Sequence, residues 1–266
     1  MNFKLNALVA TLVMAASAPA FADIDKGVQG NGDLFFSIWD SANSYSRDLN
    51  ITINDFEAAV AASGSINLNF TADATFTSFM SSANASELKW NIVGTDQFGA
   101  RRVLETFTPP PFAPTMTNDI VRTLAASTAN FAADLNQKLS CGVVLSGCNP
   151  LGGNSATYAV GTVGYAGDVN VFADDNAGLL NFKNNGTSST NSIANSLGLM
   201  RINAASTGIA NSTYNPYLDG GNAVGVYLDA NNTLHITAVP EAETYAMMLA
   251  GLGLVGFMVR RRNNFV

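Results

Sequence analysis

His235 is the single histidine of this 266-residue chain, so any nucleophile–imidazole–carboxylate relay would have to be built around it. It lies two residues from Thr233 and from Thr237 in a segment with strand character, which puts it on their face as an exposed strand histidine. No Gly-x-Ser-x-Gly elbow and no phosphate loop accompanies it. Glycoside cleavage would need two acids held on either side of a sugar bond, and Glu57, Glu87 and Glu105 supply the residue type without a spacing that unites them. Asp174-Asp175-Asn176-Ala177-Gly178 and Asp219-Gly220-Gly221-Asn222 place hard oxygen ligands on turns. Neither completes a cation-binding loop, so no metal, cofactor or catalytic residue is assigned. Cys141 and Cys148 are the only cysteines; in an oxidising compartment they are expected to form one disulfide. Closing a loop of about eight residues would contribute roughly 2.5 kcal/mol. Tyr214 and Tyr217 flank Pro216 and are candidates to stack a sugar, whereas Trp39 and Trp90 have apolar neighbours and are read as core.

Charge narrows the partners. Residues 23–238 carry nine Lys or Arg against eighteen Asp or Glu, a net charge of −9, the wrong sign for a nucleic-acid surface. Arg101-Arg102 is the nearest approach to a basic patch and is expected at a solvated strand edge. With charged residues at 12%, the surface must be built largely from neutral Asn, Ser and Thr. Six Asn-x-Ser/Thr sequons, at Asn50, Asn69, Asn84, Asn185, Asn211 and Asn231, follow from that abundance.

The elements that must position these residues are mostly strands. Residues 65–70 and 102–107 alternate apolar and polar at the period of a half-buried strand. Residues 158–164 and 167–172 are expected to form one hairpin, and residues 223–229 and 233–237 a second, split by the turn formers Ala230-Asn231-Asn232. A short helix is expected after Asn54, with Glu57 at capping-box spacing. A longer helix is predicted over 118–139, because Ile120, Leu124, Phe131, Leu135 and Leu139 recur at helical spacing. The stiff segment Pro109-Pro110-Pro111-Phe112-Ala113-Pro114 leads into it. The body therefore reads as mainly β, a β-sandwich-like, jelly-roll-type fold with one or two helices.

The termini carry the more specific patterns. Lys4, an apolar run over 5–16 and Ala20-Phe21-Ala22 before Asp23 fit a secretory signal peptide cleaved by signal peptidase after Ala22. At the other end, Val239-Pro240-Glu241 precedes an apolar run over 245–259 and then Arg260-Arg261-Arg262. About fifteen residues at roughly 1.5 Å each make a short membrane span. The arginines fix the following tail, 263–266, on the cytoplasmic side.

This three-part tail, with a signal peptide at the opposite end, resembles the PEP-CTERM sorted proteins of Gram-negative envelopes. The likeness covers residues 239–262, including Glu243-Thr244-Tyr245 and Leu249-Ala250-Gly251-Leu252-Gly253-Leu254, with Ala242 where the usual triplet has a second proline. Residues 30–48 also resemble a body type that recurs among such proteins, one with no activity attached. The resemblance implies processing by exosortase and an association with exopolysaccharide and biofilm matrix. The expected partition is a signal peptide (1–22), a secreted β-rich body (23–238), a sorting signal with its membrane helix (239–262) and a cytoplasmic tail (263–266). The chain is read as a non-enzymatic exported protein, an inner-membrane intermediate that passes to the cell surface or matrix. A lectin-like module or a secreted carbohydrate-active enzyme stands as the alternative.

Overall fold

The computed structural model describes residues 23–62, 66–98, 101–107, 116–139, 154–168, 171–172, 196–204 and 208–238. The expected signal peptide, the expected Cys141–Cys148 disulfide, the Asp174-Asp175 segment, the proline-rich segment and the sorting tail with its arginines lie outside them. Among the described residues no helix is long and apolar enough to cross a membrane.

Among the described residues, eleven strands make a single antiparallel sheet. In chain order they are β1 (Asp33–Trp39), β2 (Asn43–Thr52), β3 (Asn67–Phe70), β4 (Lys89–Thr95), β5 (Arg102–Phe107), β6 (Ser155–Ala159), β7 (Leu197–Asn203), β8 (Thr213–Pro216), β9 (Leu218–Asp219), β10 (Asn222–Leu228) and β11 (Leu234–Ala238). The spatial order is β3-β11-β10-β7-β5-β4-β1-β2-β6, with β8 beside β7 and β9 beside β10. Among the described residues there are three helices, α1 (Ile53–Ala61), α2 (Ala74–Ser82) and α3 (Asn118–Leu139).

The mainly β expectation holds, but the two stacked sheets of a sandwich are replaced by one sheet that curls around its own core. The reason lies in the central strands. After its first residue β1 is buried throughout, and so is β4, while β5 is buried at every position, so both faces of the sheet centre are covered. Leu34, Phe36, Ile38, Trp90, Ile92, Leu104, Leu199, Val226 and Ile236 point inward to one large cluster. The alternate positions Phe35, Trp39, Val93, Val103, Phe107, Met200 and Ile202 point outward to clusters covered by α3. Period-two alternation thus sends consecutive residues to two different cores.

Curling is closed by side chains and by α2. The Arg47 guanidinium of β2 lies 6.0 Å from the Phe70 ring centre of β3 and donates to the Thr71 carbonyl at 2.7 Å. These residues come from opposite ends of the strand order, which the curl has brought together. The Asp73 carboxylate accepts from the Phe76 N–H at 2.7 Å as the α2 cap, and through its other oxygen from the Tyr45 hydroxyl at 2.7 Å. Phe76 and Phe79 are then buried against Tyr45, with Phe76 also edge-on to Phe36.

Both predicted helices form, with corrections. α3 spans Asn118–Leu139 as its periodicity predicts, and it buries Val121, Leu124, Thr128, Phe131, Leu135 and Leu139; Ile120 falls outside that stripe and is exposed. α1 is capped by Thr52, two residues earlier than the expected Asn54, and the Thr52 hydroxyl accepts from the Asp55 N–H at 3.1 Å. Asn54 and Glu57 are left free for tertiary bonds. The hairpin of β10 and β11 forms as predicted, with Asp229 accepting from the Asn231 and Thr233 N–H groups across the turn. The hairpin expected over 158–172 does not. There β6 pairs with β2, and the chain beyond it makes successive turns that bring the Tyr165 hydroxyl to the Asp40 carbonyl.

Phe36 touches the rings of Tyr45, Phe76 and Trp90 at the centre of the inner core. Phe36→Ala is expected to cost roughly 3–5 kcal/mol, read as a fall in the urea midpoint at unchanged slope.

Candidate functional site

The densest charged cluster sits where α1 meets the inner face of the sheet. Arg102 begins β5 and faces inward with Leu104. Its Nε donates to Asp96 Oδ2 at 2.6 Å, its Nη1 to Glu57 Oε2, and its Nη2 to Asn54 Oδ1 at 2.7 Å. Glu57 Oε1 accepts from Arg201 Nη1 at 3.1 Å and from the Tyr217 hydroxyl at 2.7 Å. Asp96 Oδ1 in turn accepts from the Asn31 and Gly32 N–H groups, and Asn31 Oδ1 accepts from the Asn54 N–H at 2.7 Å. Arg102 is therefore no solvated edge residue. It is 8% exposed, in a strand flanked on both sides.

What this cluster can do follows from its satisfaction. Burial works against the charge on Glu57, but the Tyr217 hydroxyl and the two guanidiniums outweigh it and hold the carboxyl below its ordinary range. Both of its oxygens are engaged. Such a carboxylate has no proton to give at neutral pH, and its place is that of a fastener between α1, β5, β7 and the β8–β9 corner.

The other acids are placed far from an acid–base pair. Glu105 follows Leu104 by one residue and so projects to the opposite face, under α3, where it is 1% exposed. Both its oxygens lack a hydrogen-bond partner, as do the buried side chains of Asn91 and Thr128. Burial alone raises its pKa well above the usual carboxylate range. Glu87 lies exposed beyond α2. The sheet thus separates Glu57 from Glu105 and prevents the convergence a glycosidase needs. Asp48, 1% exposed on β2, is pushed up to about 7 by burial, against the pull of the Asn50 N–H it accepts from at 2.8 Å.

Tyr214 and Tyr217 are three residues apart along an extended segment, which turns them to opposite faces. Tyr214 packs against the outer cluster with Met200 and Ile202. Tyr217 is buried in the inner core, edge-on to Phe56 at 5.0 Å between ring centres, with its hydroxyl on Glu57. The two rings do not line a common groove. Trp39 and Trp90 are core residues, as read.

His235 belongs to a cross-strand row on the outer face. It stacks on Tyr227 of β10 at 4.7 Å and 15°, with Nδ1 against Asn69 Oδ1 of β3 and Nε2 3.2 Å from Asp229 Oδ2. The Thr233 N–H is the main cause of the lowered Asp229 pKa, with the imidazole adding to it. This histidine has a carboxylate, but among the described residues no serine or cysteine is bonded to it. Asp219 is buried and spends Oδ2 on the Ile66 N–H at 2.6 Å. Among the described residues no three His, Cys, Asp or Glu side chains gather as metal ligands.

β11 is the last described element. It lies between β10 and β3, and its final residue, Ala238, donates its N–H to the Ile66 carbonyl at 3.4 Å. Residues 238–262 match the family model described as the PEP-CTERM protein-sorting motif. No curated protein and no solved structure matches the chain. The matched motif is a sorting signal that implies export to the cell envelope with exosortase as the processing partner.

Removing Glu57 would strand two guanidiniums and a buried phenol. Glu57→Ala is expected to cost roughly 3 kcal/mol in urea unfolding, more than Arg201→Ala, whose side chain is already 35% exposed. Asp48 has the opposite sign of pH dependence. Its folded pKa is raised, so its contribution to stability is full below about pH 4 and is lost as pH rises through about 7. Asp48→Asn is therefore expected to match the parent near pH 4 and to exceed it by pH 8, by on the order of 4 kcal/mol at most, in melts across that range.

Proposed function

We propose, from the PEP-CTERM sorting signal this chain carries, that it is an exported cell-envelope protein whose β body acts outside the cytoplasm through adhesion or assembly, without catalysis, in association with exopolysaccharide. Signal peptidase removes residues 1–22. The apolar run over 245–259 holds the intermediate in the inner membrane, Arg260-Arg261-Arg262 stay cytoplasmic, and exosortase acts near Val239-Pro240-Glu241. The body then passes to the cell surface or matrix.

The observation that carries this reading is the motif match over 238–262, which begins on the last residue of β11. Pro240 lacks an N–H and biases Val239 away from helix, which suits a peptide that must be extended for processing. The non-catalytic part is supported by the carboxylates. Glu57 is locked by three donors, and Glu105 is sealed on the other side of the sheet.

Intact-mass spectrometry of the protein from an exosortase-bearing host tests the route. Mature material is expected to begin at Asp23 and to lack Arg260-Arg261-Arg262, and Pro240→Ala with Glu241→Ala should leave the tail attached in the membrane fraction. A chain recovered from the cytosol with leader and arginines in place would overturn it.

A further inference from the structure

Four of the eight Lys and Arg side chains of the described body have a polar partner there. Arg102 and Arg201 bind Glu57, Arg47 binds the Thr71 carbonyl, and Lys138 donates to the Thr157 carbonyl at 2.9 Å while lying 4.6 Å from the Tyr158 ring centre. Arg101 and Arg122 differ. Both line a cleft between the end of β4 and the first half of α3, with Gln97, Phe98, Asp119 and Thr123 on its walls. Among the described residues no acid makes an ion pair with either guanidinium, and Arg122 Nη1 is buried without a partner. In a protein of net charge −7, two guanidiniums on one cleft are a local concentration of positive charge.

The fold holds them there. Arg102 is fixed inward by its three side-chain bonds, so the preceding Arg101 is turned toward α3. Its backbone sits at φ +48, a left-handed conformation that costs energy for any residue but glycine and persists only where the surroundings impose it. The Asp96 N–H bond to the Arg102 carbonyl, at 2.8 Å, closes the turn on the other side.

The remaining walls select among anions. Phe98 is 54% exposed, an apolar ring kept in water at the rim, where it offers a flat platform to a ligand with an apolar face. Asp119 lies in the same cleft, its Oδ1 accepting from the Gly208 N–H at 2.8 Å. One carboxylate against two guanidiniums leaves a single positive excess, which suits a monoanion and repels a dianionic phosphate or a phosphodiester chain. Gln97 and Thr123 add neutral partners for hydroxyl groups. A hexuronic acid residue combines these features: one carboxylate, several hydroxyls and a flat C–H face.

We propose that the cleft formed by Gln97, Phe98, Arg101, Asp119, Arg122 and Thr123 is a binding site for an acidic sugar residue, with the carboxylate held by the two arginines and the ring laid on Phe98. This names a ligand class for the matrix association proposed above and rests on that reading only for its biological setting. Its test is independent of sorting. Full-length protein in mild detergent is titrated calorimetrically with a uronic-acid trimer, a neutral glucose trimer and inorganic sulfate. Saturable binding of the uronic-acid trimer alone is expected. Arg122→Gln and Phe98→Ser should each weaken it about tenfold or more, and Arg122→Lys less. Circular dichroism melts of the variants confirm that each is folded. No saturable binding by folded parent protein, equal binding of sulfate or the neutral trimer, or unchanged binding by both variants would overturn the proposal.

Discussion

Glu57 accepts from Arg102, Arg201 and Tyr217, three donors that reach it from β5, β7 and the corner after β8. Each donor lies far from Glu57 in the chain, so a nine-residue helix is pinned to the middle of the sheet only after long loops have closed. The arrangement stands because both oxygens of Glu57 and of Asp96 and all three guanidinium nitrogens of Arg102 are engaged. Arg102 spends three nitrogens on three acceptors, and Asp96 spends its second oxygen on the backbone of 31–32. A buried ion pair with one vacancy would cost more than it returns; a closed network fixes register and orientation instead. Through Asp96 and Asn54 it also ties the loop before β1 to α1 and thus settles where the chain enters the sheet.

The outer face is built on a different compromise. Serines meet across β1 and β2, where Ser37 and Ser46 share a hydroxyl bond of 2.9 Å, and Asn91, Glu105 and Thr128 lie buried in the layer beneath α3. They separate the cluster around Phe131 and Phe172 from the cluster around Leu124 and Ile202. The inner core has no such division. α3 is therefore docked by two apolar patches with a polar seam between them, and burial in that seam raises the pKa of Glu105 well above the usual carboxylate range.

What could be read from the chain follows from what was local. α3 showed its stripe, β5 its alternation, and β10 and β11 their turn, because each of these signals is complete within about twenty residues. β1, β2 and β4 were not legible as strands, since burial on both faces erases the alternation that marks a half-exposed strand. α2 has a local signal as well, Asp73 as cap with Phe76 and Phe79 at helical spacing. Glu57 misled for an instructive reason. Its spacing from Asn54 is that of a capping box, yet Thr52 caps the helix and both residues serve Arg102, a partner 45 residues away that no local pattern announces. Arg101 and Arg102 looked like one basic pair, but the alternation of the strand sends the second into the core and leaves the first in the cleft beside α3.

The junction between body and sorting signal has its own geometry. β11 is hydrogen-bonded to β3 and β10 up to its last residues, and the matched motif starts at Ala238 with no intervening spacer. Only residues 239–244 separate the sheet from the apolar run, and six residues reach at most about 20 Å when fully extended. Under the processing route proposed above, exosortase would work close against folded protein, beside the ends of β3 and β10 and the tight β9–β10 turn at Gly220 and Gly221, whose positive φ values keep that turn small. Body and signal therefore adjoin directly: the strand hydrogen-bonded between β3 and β10 runs straight into the matched motif.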